Sequence, residues 1–132
     1  MKNLLFILIA IPFIFQSCDY SSKTLPNNFE VSWVNMESTR TLRYNSEGLG
    51  VGYISSVGYN SKYIICKSLD LETKAKEYYL IDMAEYQKEW GHTPERQGRY
   101  GPYSKLKLNN ILDSLNQNDL EFSINFDTPE FH

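Results

Sequence analysis

Two stretches of this chain are apolar on both faces of an extended backbone: Tyr63-Ile64-Ile65-Cys66 and Tyr78-Tyr79-Leu80-Ile81. Successive side chains of a strand point to opposite sides of the sheet, so such runs leave no face for water. They belong at the centre of a sheet that is covered above and below. The polar segment between them, residues 70–76, carries Asp70, Glu72, Lys74 and Lys76 and suits a hairpin connection. The rest of the chain must therefore supply the cover.

One cover is readable as a helix. Leu108, Ile111, Leu112 and Leu115 recur at i, i+3, i+4 and i+7, an apolar stripe expected in the core. Pro102 and Ser104 mark its start, where the Ser104 hydroxyl can accept from the free backbone donors of the first turn. Lys105 and Lys107 at that start, and Asp113 near the other end, oppose the helix dipole. Packing on the sheet must hold this helix.

The remaining segments are extended. Phe29, Val31 and Trp33 alternate with Glu30 and Ser32, as a half-buried strand requires, and place Trp33 in the core. Residues 39–44 carry Arg40 and Arg43 on opposite faces and are expected at an edge. A turn over residues 45–50 leads into a strand over 51–57, where Gly52 and the following Gly58 mark a bulge or a close backbone approach. Leu120, Phe122, Ile124 and Phe126 alternate and predict a last strand that Pro129 stops. The fold class expected is α+β: an antiparallel sheet of about five or six strands with one main helix packed on one face.

The first residues stand apart from this domain. After Lys2, residues 4–15 form an unbroken apolar run that ends in Gln16, Ser17 and Cys18, the layout of a secretion signal. As a helix that run would span ~18 Å, short of the ~30 Å hydrocarbon core, and Pro12 interrupts it. Phe15-Gln16-Ser17-Cys18 resembles a bacterial lipobox, in which the cysteine is acylated and becomes the new N-terminus. Residues 1–17 are then a lipoprotein signal peptide, residues 18–28 a lipidated tether without apolar period, and residues 29–132 a single globular domain. Each buried methylene contributes ~0.8 kcal/mol, so several acyl chains make release negligible. The expected address is the cell envelope, bound to the inner or outer membrane through the lipid on Cys18.

Charge and rare residues narrow the function. Cleavage after residue 17 removes Lys2 from the 13 basic residues and leaves 12 against 16 acidic ones, a net charge of −4. That argues against a nucleic acid partner and against a polybasic grip on anionic lipid. With Cys18 acylated, Cys66 has no disulfide partner in the chain and reads as a packed, inert thiol. His92 and His132 are the only histidines and lie far apart in sequence, which argues against a histidine-based metal site or dyad. Nucleophile-elbow, phosphate-loop and dinucleotide patterns are missing from the sequence. No catalytic residue, cofactor or metal is expected. The ten tyrosines suit half-buried sheet surfaces, and also recognition surfaces, because each offers a large ring with a polar tip.

Residues 83–99 are the least patterned part of the chain. Residues 83–90 suit two helical turns, and the glycine and proline that follow suit a loop. Trp90, His92, Arg96 and Arg99 form the most ligand-like patch, since tryptophan and arginine are frequent contact anchors. They are the candidate partner-binding residues, weighed against a plain solvated connection.

Three blocks carry a resemblance: Val57-Gly58-Tyr59-Asn60 running into Tyr63-Ile64-Ile65-Cys66-Lys67, then Tyr78-Tyr79-Leu80-Ile81-Asp82, then Tyr100-Gly101-Pro102-Tyr103-Ser104. Together they resemble small bacterial lipoproteins of the domain of unknown function family 3997, over roughly residues 51–115. The chain departs from that pattern in the 83–99 insertion and in Lys105-Leu106-Lys107, where the family has acidic residues. The resemblance implies secretion and a strand–strand–helix order, and brings no activity. The expected function is a non-catalytic, lipid-anchored envelope lipoprotein that binds an envelope protein or component. The alternative is an inhibitor or immunity-type lipoprotein that blocks a toxin or hydrolase.

Overall fold

The structure, a computed structural model, describes residues 20–34, 39–88 and 97–126. Its strands are β1 (Tyr20–Thr24), β2 (Phe29–Val34), β3 (Thr41–Tyr44), β4 (Glu47–Gly48), β5 (Ile54–Tyr59), β6 (Tyr63–Leu69), β7 (Lys76–Asp82), β8 (Arg99–Tyr103) and β9 (Ile124–Asn125). A short helix α1 (Met83–Lys88) follows β7, and a longer α2 (Lys105–Ser114) follows β8. The strands form two antiparallel sheets, ordered β1-β2-β3-β4 and β8-β7-β6-β5-β9. The class is α+β, in three layers: four-stranded sheet, five-stranded sheet, helix.

The two doubly apolar runs are the inner strands β6 and β7, in register with Ile64 opposite Ile81, Ile65 opposite Leu80 and Cys66 opposite Tyr79. Ile64, Cys66, Tyr79 and Ile81 face the other sheet and join Phe29, Val31, Leu42, Tyr44 and Val57 in one core. Ile65, Tyr78 and Leu80 face the helix and join Leu108, Leu112 and Leu120 in a second. The hairpin between the strands is set by Asp70, whose Oδ1 accepts from the backbone N–H of Glu72 and Thr73 at 2.9 and 3.0 Å. Those bonds hold the Asp70 carboxyl below its usual value.

The expected tether over residues 18–28 is corrected. From Tyr20 onward it is folded, with β1 paired along its whole length to β2 and Leu25 buried at 4 % exposure. The segment Tyr-Ser-Ser-Lys-Thr has no apolar alternation, because an edge strand is held by backbone hydrogen bonds whether or not its side chains are buried. Residues 39–44 lie one place in from the edge, which is the two-residue β4. Arg40 is not at the surface either. At 2 % exposure it donates through Nε to the Ile54 carbonyl at 2.8 Å and through Nη2 to the Tyr53 hydroxyl. Its guanidinium stacks 4.5 Å from the Phe126 ring centre and 4.6 Å from that of Tyr53, which ties the two sheets together.

The strand expected over 51–57 begins only at Ile54, which leaves Gly52 outside it, whereas the close backbone approach expected at Gly58 is met. The β5–β6 register slips between Ile54 and Ser56, just after Gly52. At Gly58 a Cβ would fall on the backbone carbonyl of Glu121. That close pass explains why the alternating segment from Leu120 pairs as strand only at Ile124–Asn125. Leu120 and Phe122 pack on the helix side, whereas Ile124 and Phe126 pack on the sheet–sheet side. A segment that changes sides has to cross the edge of β5, and the bare backbone at Gly58 is where it crosses. Pro129 lies outside the described residues.

Candidate functional site

α2 begins as its sequence asks, with the Ser104 hydroxyl accepting from the Lys107 N–H at 3.1 Å. Leu108 and Leu112 are buried, but Ile111 is only half-buried and Leu115 is 38 % exposed. The stripe therefore runs past the sheet it covers. Beside that overhang lies a groove of about 340 Å³. Tyr63, Leu80 and Asp82 form its sheet side, Glu85 of α1 and Tyr100 and Tyr103 of β8 one wall, and Ile111 and Leu115 the other.

Strand register puts these residues together. Tyr63 lies opposite Asp82, Leu80 opposite Tyr100 and Tyr78 opposite Tyr103, so the groove residues of all three strands share the helix face. The turn before β6 is fixed by Asn60, whose Oδ1 accepts from Lys62 and Tyr63 N–H groups and whose Nδ2 donates to Gln117 Oε1 at 2.8 Å. That last bond joins the turn to the segment just after α2. On the opposite wall, Gly98 has φ +99°, and a Cβ there would stand 2.5 Å from the backbone nitrogen of Tyr86. Only glycine lets β8 start this close to α1.

The polar atoms in the groove are acidic or phenolic. Asp82 Oδ1 accepts from the Glu85 N–H at 3.1 Å. The Tyr100 hydroxyl donates to Glu85 Oε2 and Oε1 at 2.7 and 2.8 Å. This bond to Glu85, then burial and the charges of Glu85 and Asp82, pushes the Tyr100 phenol up to about 12. Aromatic rings, aliphatic side chains and two carboxylates make a surface suited to binding. Among the described residues no group of three or more His, Cys, Asp or Glu could hold a metal ion.

Of the expected partner-binding residues, Trp90, His92 and Arg96 lie outside the described residues, as does Cys18. Arg99 pairs with Ile81, on the other face of the sheet from the groove. Its Nη1 donates to the Leu49 carbonyl at 2.8 Å, so it braces β8 against the loop after β4. Cys66 is fully buried, and burial pushes its thiol up to about 12, where it is neither ionised nor accessible. Sequence reasoning missed Tyr63, Asp82, Glu85, Tyr100 and Tyr103 as a group. The tyrosine excess was their one signal, and only the strand register shows which tyrosines converge.

A second groove of about 460 Å³ flanks the other side of α2, with Lys105, Asp113 and Glu121 among its lining and Phe122 the one aromatic ring among the described residues that line it. Its mixed charges select no ligand chemistry. No helix among the described residues is long and apolar enough to cross a membrane. No family model matches the chain, and neither a curated protein nor a solved structure matches it. These comparisons assign no role to any residue of the groove.

Proposed function

We propose that this protein is a lipid-anchored envelope lipoprotein that acts as a non-catalytic binding module, with the acylated Cys18 as its anchor and the tyrosine-lined groove as its binding surface. The observation that carries this reading is the position of the groove relative to the point where the chain enters the fold. β1 starts at Tyr20, two residues after Cys18, and Tyr20 lies opposite Val34 at one end of the four-stranded sheet. That end is also where Trp33 packs edge-on against Phe126 and where the Ile54 N–H donates to the Arg40 carbonyl.

At the other end, Asn27 donates to Met83 Sδ and Gln87 donates to the Asn27 carbonyl, which places α1 there. Asp82, Glu85, Tyr63 and Tyr100 are at this second end. The seven residues of β7 span ~23 Å at ~3.3 Å each, so a chain anchored at Cys18 would hold the groove well clear of the lipid surface.

Cys18→Ala tests the anchor. The variant is expected to leave the membrane fraction of intact cells and to carry no acylated N-terminus by mass spectrometry. Firm membrane retention of the variant would remove the anchor from this reading.

A further inference from the structure

We infer that the groove receives a basic side chain, arginine or lysine, carried on an apolar segment of a protein partner. The inference rests on the binding-module reading above and names what that module recognises. Among the described residues, three tyrosines and two carboxylates line the groove and no lysine or arginine does. The nearest basic residue of β8, Arg99, faces the other side of the sheet, and Lys105 lines the groove beyond α2. Among the described residues Asp82 and Glu85 thus have hydrogen bonds but no cation.

That arrangement favours a positive occupant. A neutral ligand laid over Asp82 and Glu85 would strip water from two charges and return nothing for it. A guanidinium or ammonium group instead gains charge-assisted hydrogen bonds to the carboxylates and the faces of tyrosine rings. The Tyr100 hydroxyl already holds the Glu85 carboxylate in place, so little side-chain freedom is lost on binding. The apolar part of the partner has its own contact surface in Leu80, Ile111 and Leu115. Two of the four large hydrophobic residues exposed among the described residues, Tyr100 and Leu115, stand on its rim. At about 340 Å³ the groove is near the lower limit for a small-molecule pocket, and fits one long side chain with its immediate neighbours better than an extended glycan.

The test uses the full-length protein in detergent and two probe peptides, acetyl-Gly-Leu-Arg-Leu-Gly-amide and its counterpart with citrulline, the neutral isostere of arginine. Chemical-shift titration should move resonances of Tyr63, Tyr100, Tyr103 and Ile111. Replacing arginine by citrulline, or Glu85 by Gln, should weaken binding about tenfold or more, and added salt should weaken it further. An unchanged spectrum away from the groove shows that Glu85→Gln has kept the fold. Equal affinity for the two peptides, no shift at millimolar arginine peptide, or stronger shifts with a neutral chitin disaccharide would overturn the inference.

Failure of the wider reading looks different. With a photo-crosslinking residue in place of Leu115 in intact cells, a captured envelope protein whose crosslinked segment contains arginine or lysine supports the inference. A captured segment without either refutes it and leaves the binding module standing. No capture from Leu115 or from other surface positions refutes both.

Discussion

Toward the four-stranded sheet, the five-stranded sheet buries Ile64, Cys66 and Ile81 completely, whereas toward α2 it leaves Tyr63 and Tyr103 only half covered. The first face meets another sheet, and its far corner is closed by the rings of Phe29, Tyr44 and Tyr86, with centres 4.8 to 5.8 Å apart. The second face meets one ten-residue helix. A helix ~10 Å wide cannot roof five strands that stand ~4.8 Å apart and extend over ~19 Å. A trough is left on each flank of α2. In the trough beside β8 the exposed positions are filled by tyrosine, which tolerates half-burial because its ring can pack while its hydroxyl meets water. The binding surface follows from the shortfall in cover.

If the faces differ in this way, equivalent truncations should cost different amounts. Phe29→Ala empties the closed face at a fully buried ring and is expected to cost ~3–5 kcal/mol, a large part of the stability of a domain this size. Leu108→Ala, equally buried but under a helix with open flanks, is expected near ~2–3 kcal/mol, because the helix can settle into the space. Urea unfolding with matched m-values measures both. Equal losses would mean that the helix face is as rigidly packed as the sheet–sheet face.

The next variant acts where the two faces meet. Gly58→Ala places a methyl on the Glu121 carbonyl, a backbone atom that has no rotamer to escape into. A cost of ~1–3 kcal/mol is expected, with loss of amide protection at Ser123 and Phe126, whose N–H groups bond to Val57 and Ser55. If stability and protection are both unchanged, the chain can cross the β5 edge elsewhere, and the separation of the two cores is looser than described.

Much of this contrast was legible in the residues, and the rest was not for identifiable reasons. The doubly apolar runs around Ile64 and Leu80 required central strands, and Ser104 required a helix start, because both signals are local. Alternation at Phe29, Val31 and Trp33 says which side of a strand is buried but not which strand lies next to it, so one sheet was expected where the strands form two. β1 was read as tether because backbone pairing leaves no mark on Tyr-Ser-Ser-Lys-Thr. Leu115 has the spacing of a core residue, and nothing in that spacing tells that the cover runs out beneath it. The groove was hidden for a related reason. Tyrosine fits a half-buried sheet and a recognition surface equally well, and only register brings Tyr63, Tyr100 and Tyr103 to one place.

The smallest effect on stability, and the sharpest on the open face, is expected from Glu85→Gln. Both Glu85 oxygens accept from the Tyr100 hydroxyl, so the phenol keeps its proton until about pH 12, above the usual value near 10. A pKa raised in the folded state contributes stability that is fully present below pH ~10 and is lost as pH rises toward about 12. At neutral pH that contribution is fully present and the substitution removes it, but solvent screens an exposed pair, so the loss is expected to be small, ~0.5 kcal/mol. Its signature is in phenolate absorbance, where one tyrosine should titrate about tenfold or more in proton concentration closer to the ordinary value. A wild-type curve without any late phenol would mean that Tyr100 does not hold Glu85. The carboxylate would then be a mobile surface charge and not a fixed acceptor, and the open face would differ from the closed one only in how much water it meets.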